Sequence, residues 1–253
     1  MKTLTMIAAI VGISMAMPGV SIAAEVKVLT AGAFKQIVLA VVPDFEKASG
    51  HKVAVDNDTV GALAKRINDG EAFDVVVLTP AAIDDLAKTG KVAEGSKTAL
   101  ARVGVGVMVK AGAPAPDIGS VEAFKRALLA AKSVAYIDPA SGGSSGIYVA
   151  GLLQKLGIAD DIKPKAKLKQ GGYVADLVKS GEAEIGIHQI SEIVPVKEVT
   201  LVGPLPSEIQ NYTTYAAGIG AAAKDSEAAK ALVKELSGPA AAAVLKDKGM
   251  DRP

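Results

Sequence analysis

Apolar positions along the chain switch repeatedly between two spacings. Residues 26–30 (VKVLT) read as a short buried strand. From Phe34 to Ala48 the apolar side chains Ile37, Val38, Val41, Val42 and Phe45 return at helical spacing before Gly50. The order then repeats, with a strand at 52–56, a helix at 62–67, a β-branched strand at 74–79 and a helix at 81–89 closed by Gly90. Strands that alternate with helices predict parallel sheets, because a parallel pair needs a crossover long enough to hold a helix. Residues 101–109 interleave Gly with apolar residues and run into the Pro- and Gly-rich segment AGAPAPDIGS, a composition shift that reads as a crossover between two lobes. A second series follows: helix 121–131, strand 133–137, helix 147–156, a short strand near Lys167, helix 173–179 and strand 184–189. A small-residue strand near 213–220 and helices 226–236 and 239–248 complete the pattern. The fold class expected is α/β in two lobes, each a mainly parallel sheet flanked by helices. The boundaries expected are 24–105 plus 216–253 for lobe 1 and 106–215 for lobe 2.

Composition narrows the chemistry. The chain of 253 residues is 50% apolar and carries no Cys and two His, which excludes thiol nucleophiles, disulfides and multi-histidine metal centres. Lys plus Arg number 28 against 27 Asp plus Glu, with no Trp, so neither a basic grip nor a stacking platform for nucleic acid is expected. At the N-terminus Lys2 precedes an apolar run over 6–17, then Pro18, Gly19 and small residues to Ala24, the three-part order of an export signal. Cleavage near Ala23 is expected, since an apolar run of about 12 to 15 residues is short of the ~20 that span a bilayer. The mature protein is expected to be soluble and exported, without cofactor or metal.

Candidate chemistry lies in loops at strand ends, where parallel sheets bind ligands and helix N-termini offer free N–H groups. Small residues crowd Thr30 to Ala33, Asn57 to Gly61, Ser141 to Gly146 and Gln170 to Gly172. The third loop contains G-x-S-x-G at Gly142, Ser144 and Gly146, followed by Asp176 and His188 in the chain order of a serine hydrolase. An exported hydrolase using Ser144 is therefore an alternative. It needs a strand that runs straight into the first Gly, and Pro139 interrupts that approach. His51 reads as a solvated turn residue.

The segments VKVLTAGAF, FEKASGHKVAVDNDTVGALAKRI, EAFDVVVLT, IDPASGGSSGIYVAGLLQKLGI and LVKSGEAEIGIHQISEI stand in the order found in periplasmic molybdate-binding proteins of ABC importers, and the chain resembles that family over nearly its whole mature length. The resemblance implies a type II periplasmic-binding-protein fold and a non-enzymatic receptor that works in the periplasm as a monomer. It also implies a small anion, either a molybdate-like oxyanion or an organic carboxylate, held between the lobes, and a membrane ABC permease as partner. A sensor that binds the same ligand is a further alternative. The family's first-loop serine falls on Ala33 and its second on Thr59 or Val60, while the tyrosine after its later strand becomes His188. The binding set expected is Gly32, Ala33, Thr59, Val60, Ser144, Ser145, Gly146, Tyr173 and His188. Losing a hydroxyl while gaining an imidazole favours a carboxylate, with His188 expected to charge and pair with it.

Overall fold

The computed structural model describes residues 23–253; the expected export segment, apart from Ala23, lies outside them. Strand β1 (Glu25–Ala31) pairs in parallel with β2 (Lys52–Asp58) and β3 (Val75–Leu78). Alternation across the pleat explains the uninterrupted apolar run of β3 and the buried end of β1. Val28, Val75 and Val77 face α1 (Lys35–Ser49), α9 (Ser226–Ser237) and α10 (Pro239–Leu245), whereas Leu29, Val76 and Leu78 face α2 (Val60–Asn68) and α3 (Pro80–Lys88). A sheet covered on both faces has no polar side to display.

The second half repeats the plan. Strand β5 (Val134–Ile137) pairs in parallel with β6 (Ala166–Lys169) and β7 (Ile185–Gln189). Helices α4 (Val121–Ala130) and α5 (Ser144–Lys155) close one face of this sheet, with the short α6 (Ala159–Ile162), and α7 (Ala175–Lys179) closes the other. The sheets share β4 (Thr98–Lys110), a strand of 13 residues. Residues 98–104 pair antiparallel with β9 (Tyr212–Ile219), and residues 105–109 with β7. Where the pairing changes hands, the Gln210 amide donates to Val105 O at 2.9 Å and accepts from Val105 N at 2.8 Å, tying the outgoing and returning crossovers together.

Three elements were not anticipated: the short α6, strand β8 (Val199–Pro204), which pairs with β4, and α8 (Ile190–Ile193), which follows β7 without a loop. Helix α5 begins at Ser144, three residues before the expected start, which puts Ser144 and Ser145 in its first turn. Helix α7 begins at Ala175, after Tyr173. His51 is a correction: it is buried, its Nδ1 accepts from Ala24 N–H at 3.1 Å, and its ring stacks on Phe45. Among the described residues no helix is long and apolar enough to cross a membrane.

Asp74, at the entry to β3, is 4% exposed and accepts from Lys27 N and Lys224 N, each at 2.7 Å, so one carboxylate pins the first strand to the C-terminal segment. Asp74→Ala leaves both N–H groups without their acceptor and is expected to lower stability by roughly 2 to 4 kcal/mol. Urea unfolding at pH 7 checks this; a loss under about 0.5 kcal/mol would mean that water replaces the carboxylate at no cost.

Candidate functional site

The carboxyl ends of the parallel strands in both halves face each other across one cleft, where a cavity of about 30 Å³ remains. From the first half come Gly32 and Ala33 after β1, Asn57 to Val60 after β2, and Tyr215 on β9; from the second come Gly143 to Ser145, Gly172, His188, Gln189 and Glu192. Thr59 caps α2, its Oγ1 accepting from Ala62 N at 3.1 Å. The same hydroxyl donates across the cleft to Ser141 O at 2.5 Å, and Gly61 N donates to Gly142 O at 3.1 Å. Here two glycines are obligatory. A Cβ on Gly61 would stand 2.7 Å from Gly142 Cα, and Gly142 has φ +74°.

Seven of the nine expected binding residues meet at this cavity: Gly32, Ala33, Thr59, Val60, Ser144, Ser145 and His188. Gly146 and Tyr173 are not in its wall. Gly146 lets α5 pack on β5, since a Cβ there would lie 2.3 Å from Ile137 O. Tyr173 instead bridges the halves, its hydroxyl accepting from Gln36 Nε2 at 2.6 Å.

Ser144 has no base beside it. Gln189 Nε2 donates to Ser144 Oγ at 2.9 Å and to Thr213 Oγ1 at 3.1 Å, and Tyr215 donates to Gln189 Oε1 at 2.8 Å. Burial pushes the Tyr215 phenol well above its ordinary range, so it stays protonated. Asp176 is bound to Lys169 at 3.2 Å and Lys179 at 2.9 Å. A hydrolase triad of Ser144, Asp176 and His188 is therefore not assembled.

His188 meets a different partner, one the sequence reading passed over. Its Nε2 lies 3.3 Å from Glu192 Oε2, across the β7–α8 junction. Glu192 Oε1 presses on the first loop, 2.6 Å from where a Gly32 Cβ would stand. His188 Nδ1 is buried without a protein partner. Burial, with Lys169 adding to it, pushes the imidazole down to about 3; burial pushes the Glu192 carboxyl up to about 8 against the attraction of Lys35. With the cleft shut and both side chains buried, the neutral imidazole faces a protonated acid; the charging expected of His188 belongs to a cleft that holds a carboxylate. Spacing was the available signal, since Glu192 follows His188 by four residues. Gln189 and Tyr215 sat inside segments read as plain strands.

A model of the family described as bacterial extracellular solute-binding protein matches residues 26–251, and the chain belongs to that family. Within it the chain is molybdate-binding-protein-like. It is 31% identical over 242 residues to the molybdate-binding protein ModA of Azotobacter vinelandii, covering 90% of each chain. It is 33% identical over 229 residues to a protein named aconitate isomerase from Pseudomonas sp, covering 88% of this chain and 86% of that one. The solved periplasmic molybdate-binding protein of Azotobacter vinelandii superposes with a TM-score of 0.77 at 20% identity, over 90% of this chain and 99% of that one. The architecture is the two-lobed type II periplasmic-binding-protein fold.

The inner pair sets a pH dependence of stability. Glu192 has a folded pKa above its ordinary 4.5, so the folded state holds a proton that the unfolded state loses, and stability falls as pH rises from about 4.5 to 8. His188 has a folded pKa below its ordinary 6.5, so stability rises with pH from about 3 to 6.5. The two effects cancel between 4.5 and 6.5, leaving a net decline from 6.5 to 8. Urea unfolding at those two pH values is expected to show a decline on the order of 1 kcal/mol that Glu192→Gln removes. An equal decline in the variant would place the titration elsewhere.

Proposed function

We propose that this protein is the periplasmic receptor of an ABC importer and that it holds a small organic carboxylate between its two lobes. The observation that carries the ligand class is the His188–Glu192 pair in the cavity wall. A carboxylic acid that stays protonated at neutral pH donates to an anion, and a ligand carboxylate, being chemically like Glu192, shares that proton in a short charge-assisted bond. The hydroxyls of Thr59, Ser144 and Ser145 and the backbone at Gly32, Ala33 and Val60 supply further polar contacts. Bending at the crossovers by Val105 and Gln210 would open and close the cleft.

A second reading, favoured by the 33% identical relative named aconitate isomerase, is that a protein of this receptor fold transforms the carboxylate it binds. Both readings take the same site and the same ligand class.

Thermal shift and calorimetry against molybdate, sulfate, citrate and trans-aconitate test the ligand class. A carboxylate at 100 times its dissociation constant adds about 2.7 kcal/mol, roughly 5 to 10 °C in Tm for a chain of this size. Ser145→Ala is expected to weaken binding by roughly 0.5 to 3 kcal/mol. Affinity for the carboxylate is expected to fall as pH passes about 8, where Glu192 ionises beside the ligand anion. Stabilisation by molybdate alone would overturn the carboxylate reading.

A further inference from the structure

Holding an anion requires donors. It does not require a base and an acid side by side in a cavity of about 30 Å³. The cavity wall has three residues of the acid and imidazole type, Asp58, His188 and Glu192. Asp58 is engaged, Oδ1 with Thr59 N at 2.8 Å and Oδ2 with Arg66 at 3.8 Å. His188 and Glu192, 1% and 7% exposed, face each other at 3.3 Å, and Glu192 is pressed against the loop that opens α1. Around them lie Lys169 toward His188, Lys35 toward Glu192, and the phenols of Tyr173 and Tyr215.

We propose that His188 and Glu192 are a proton-transfer pair that moves a proton between two carbons of an unsaturated carboxylate held in the cleft, His188 as base and Glu192 as acid. This rests on the carboxylate reading above. The imidazole takes a proton from a CH2 flanked by a carboxylate and a C=C bond. The C–H electron pair becomes a new C=C bond, and the old π pair moves to the far carbon, which takes the proton of the Glu192 carboxylic acid as its O–H bond breaks. Imidazolium and carboxylate remain, 3.3 Å apart, and transfer of the proton from one to the other restores the starting state. No oxidant, reductant or net proton is consumed. Charge that develops on the substrate carboxylate faces the same loop hydroxyls and backbone donors that bind it. Burial sets the starting protonation states, imidazole neutral and carboxyl protonated near neutral pH, and the substrate carboxylate beside the imidazole offsets the loss of basicity that burial imposes on it.

In trans-aconitate such a shift regenerates the same skeleton with either geometry about the new double bond, so proton NMR in D2O reads the reaction directly. Wild type at saturating trans-aconitate is expected to form the cis isomer and to incorporate deuterium at carbon. Rates for variants are compared at saturation set by calorimetry. Glu192→Gln is expected to keep deuterium incorporation at the CH2 while isomerisation falls by at least about 100-fold. His188→Gln is expected to lose both, a split that a purely structural role would not produce. The wild-type rate is expected to fall above pH about 8 as Glu192 loses its proton, and this readout holds even where a variant fails to fold. Binding of trans-aconitate with unchanged CH2 signals overturns the proton-transfer role and leaves the receptor reading standing. Binding of molybdate alone overturns both, and isomerisation that survives in both variants, or a rate flat from pH 6 to 9, overturns the assignment to this pair.

Discussion

One strand belongs to both sheets, and the rest of the architecture depends on that sharing. Because β4 pairs through 98–104 with β9 and through 105–109 with β7, each half is sealed by its own helices, and the two meet along a narrow seam of backbone hydrogen bonds. Separate cores on either side of the seam let each half keep its packing whatever the angle between them. The seam also orients the parallel strands so that their carboxyl ends confront one another, where loops of Gly, Ser and Thr bring backbone and hydroxyl groups to a common point. The Gln210 clasp on Val105 sits at the one place where both crossovers pass.

Inside the cleft the controlling quantity is the cost of burying charge. An ion pair of His188 and Glu192 and a neutral pair of the same residues contain the same number of protons and differ only by one proton moved across 3.3 Å. Desolvation of two isolated charges favours the neutral form, and their mutual attraction favours the ionic one. Both side chains are almost wholly removed from water, so the desolvation cost outweighs the attraction and the neutral form prevails. An arriving carboxylate changes that balance, because it supplies negative charge to the imidazole side and an acceptor to the acid side. The pair is consequently responsive to ligand in a way that a ring of hydroxyls is not.

What the chain reveals of this unaided follows from the range of each interaction. Strand β3 was legible because both its faces are covered, which leaves an apolar run that no loop would carry. The four small-residue loops were legible for a related reason, since a backbone that must approach a ligand or an opposite loop excludes side chains. Strand β8 was not, because its place is set by pairing with β4 about 90 residues earlier, and only Val199 in it is buried. Four-residue α8 gives no periodic signal, and Glu192 in it reads as a surface acid beside exposed Val194. Its burial arises only when the first-half loop at Gly32 folds over it. Gly146 and Tyr173 were placed in the wall because the helix starts were misjudged; with α5 beginning at Ser144, Gly146 turns toward β5 and spends its missing side chain on packing.

Closure itself competes with ligand. The contacts that join the halves, Thr59 to Ser141, Gly61 to Gly142 and Gln36 to Tyr173, use donors and acceptors from the very loops that would serve a bound anion. A space of about 30 Å³ suits a water molecule or two and nothing with several carboxylates. A polycarboxylate therefore enters only a wider cleft, and it must offer the loops more than they gain from each other. Apparent affinity is reduced by the fraction of molecules held shut in this way. Opposed glycines at 61 and 142 make the shut form as tight as backbone allows, so a side chain at either position would widen the resting cleft and remove part of that penalty, at the expense of the enclosure that keeps the His188–Glu192 pair dry.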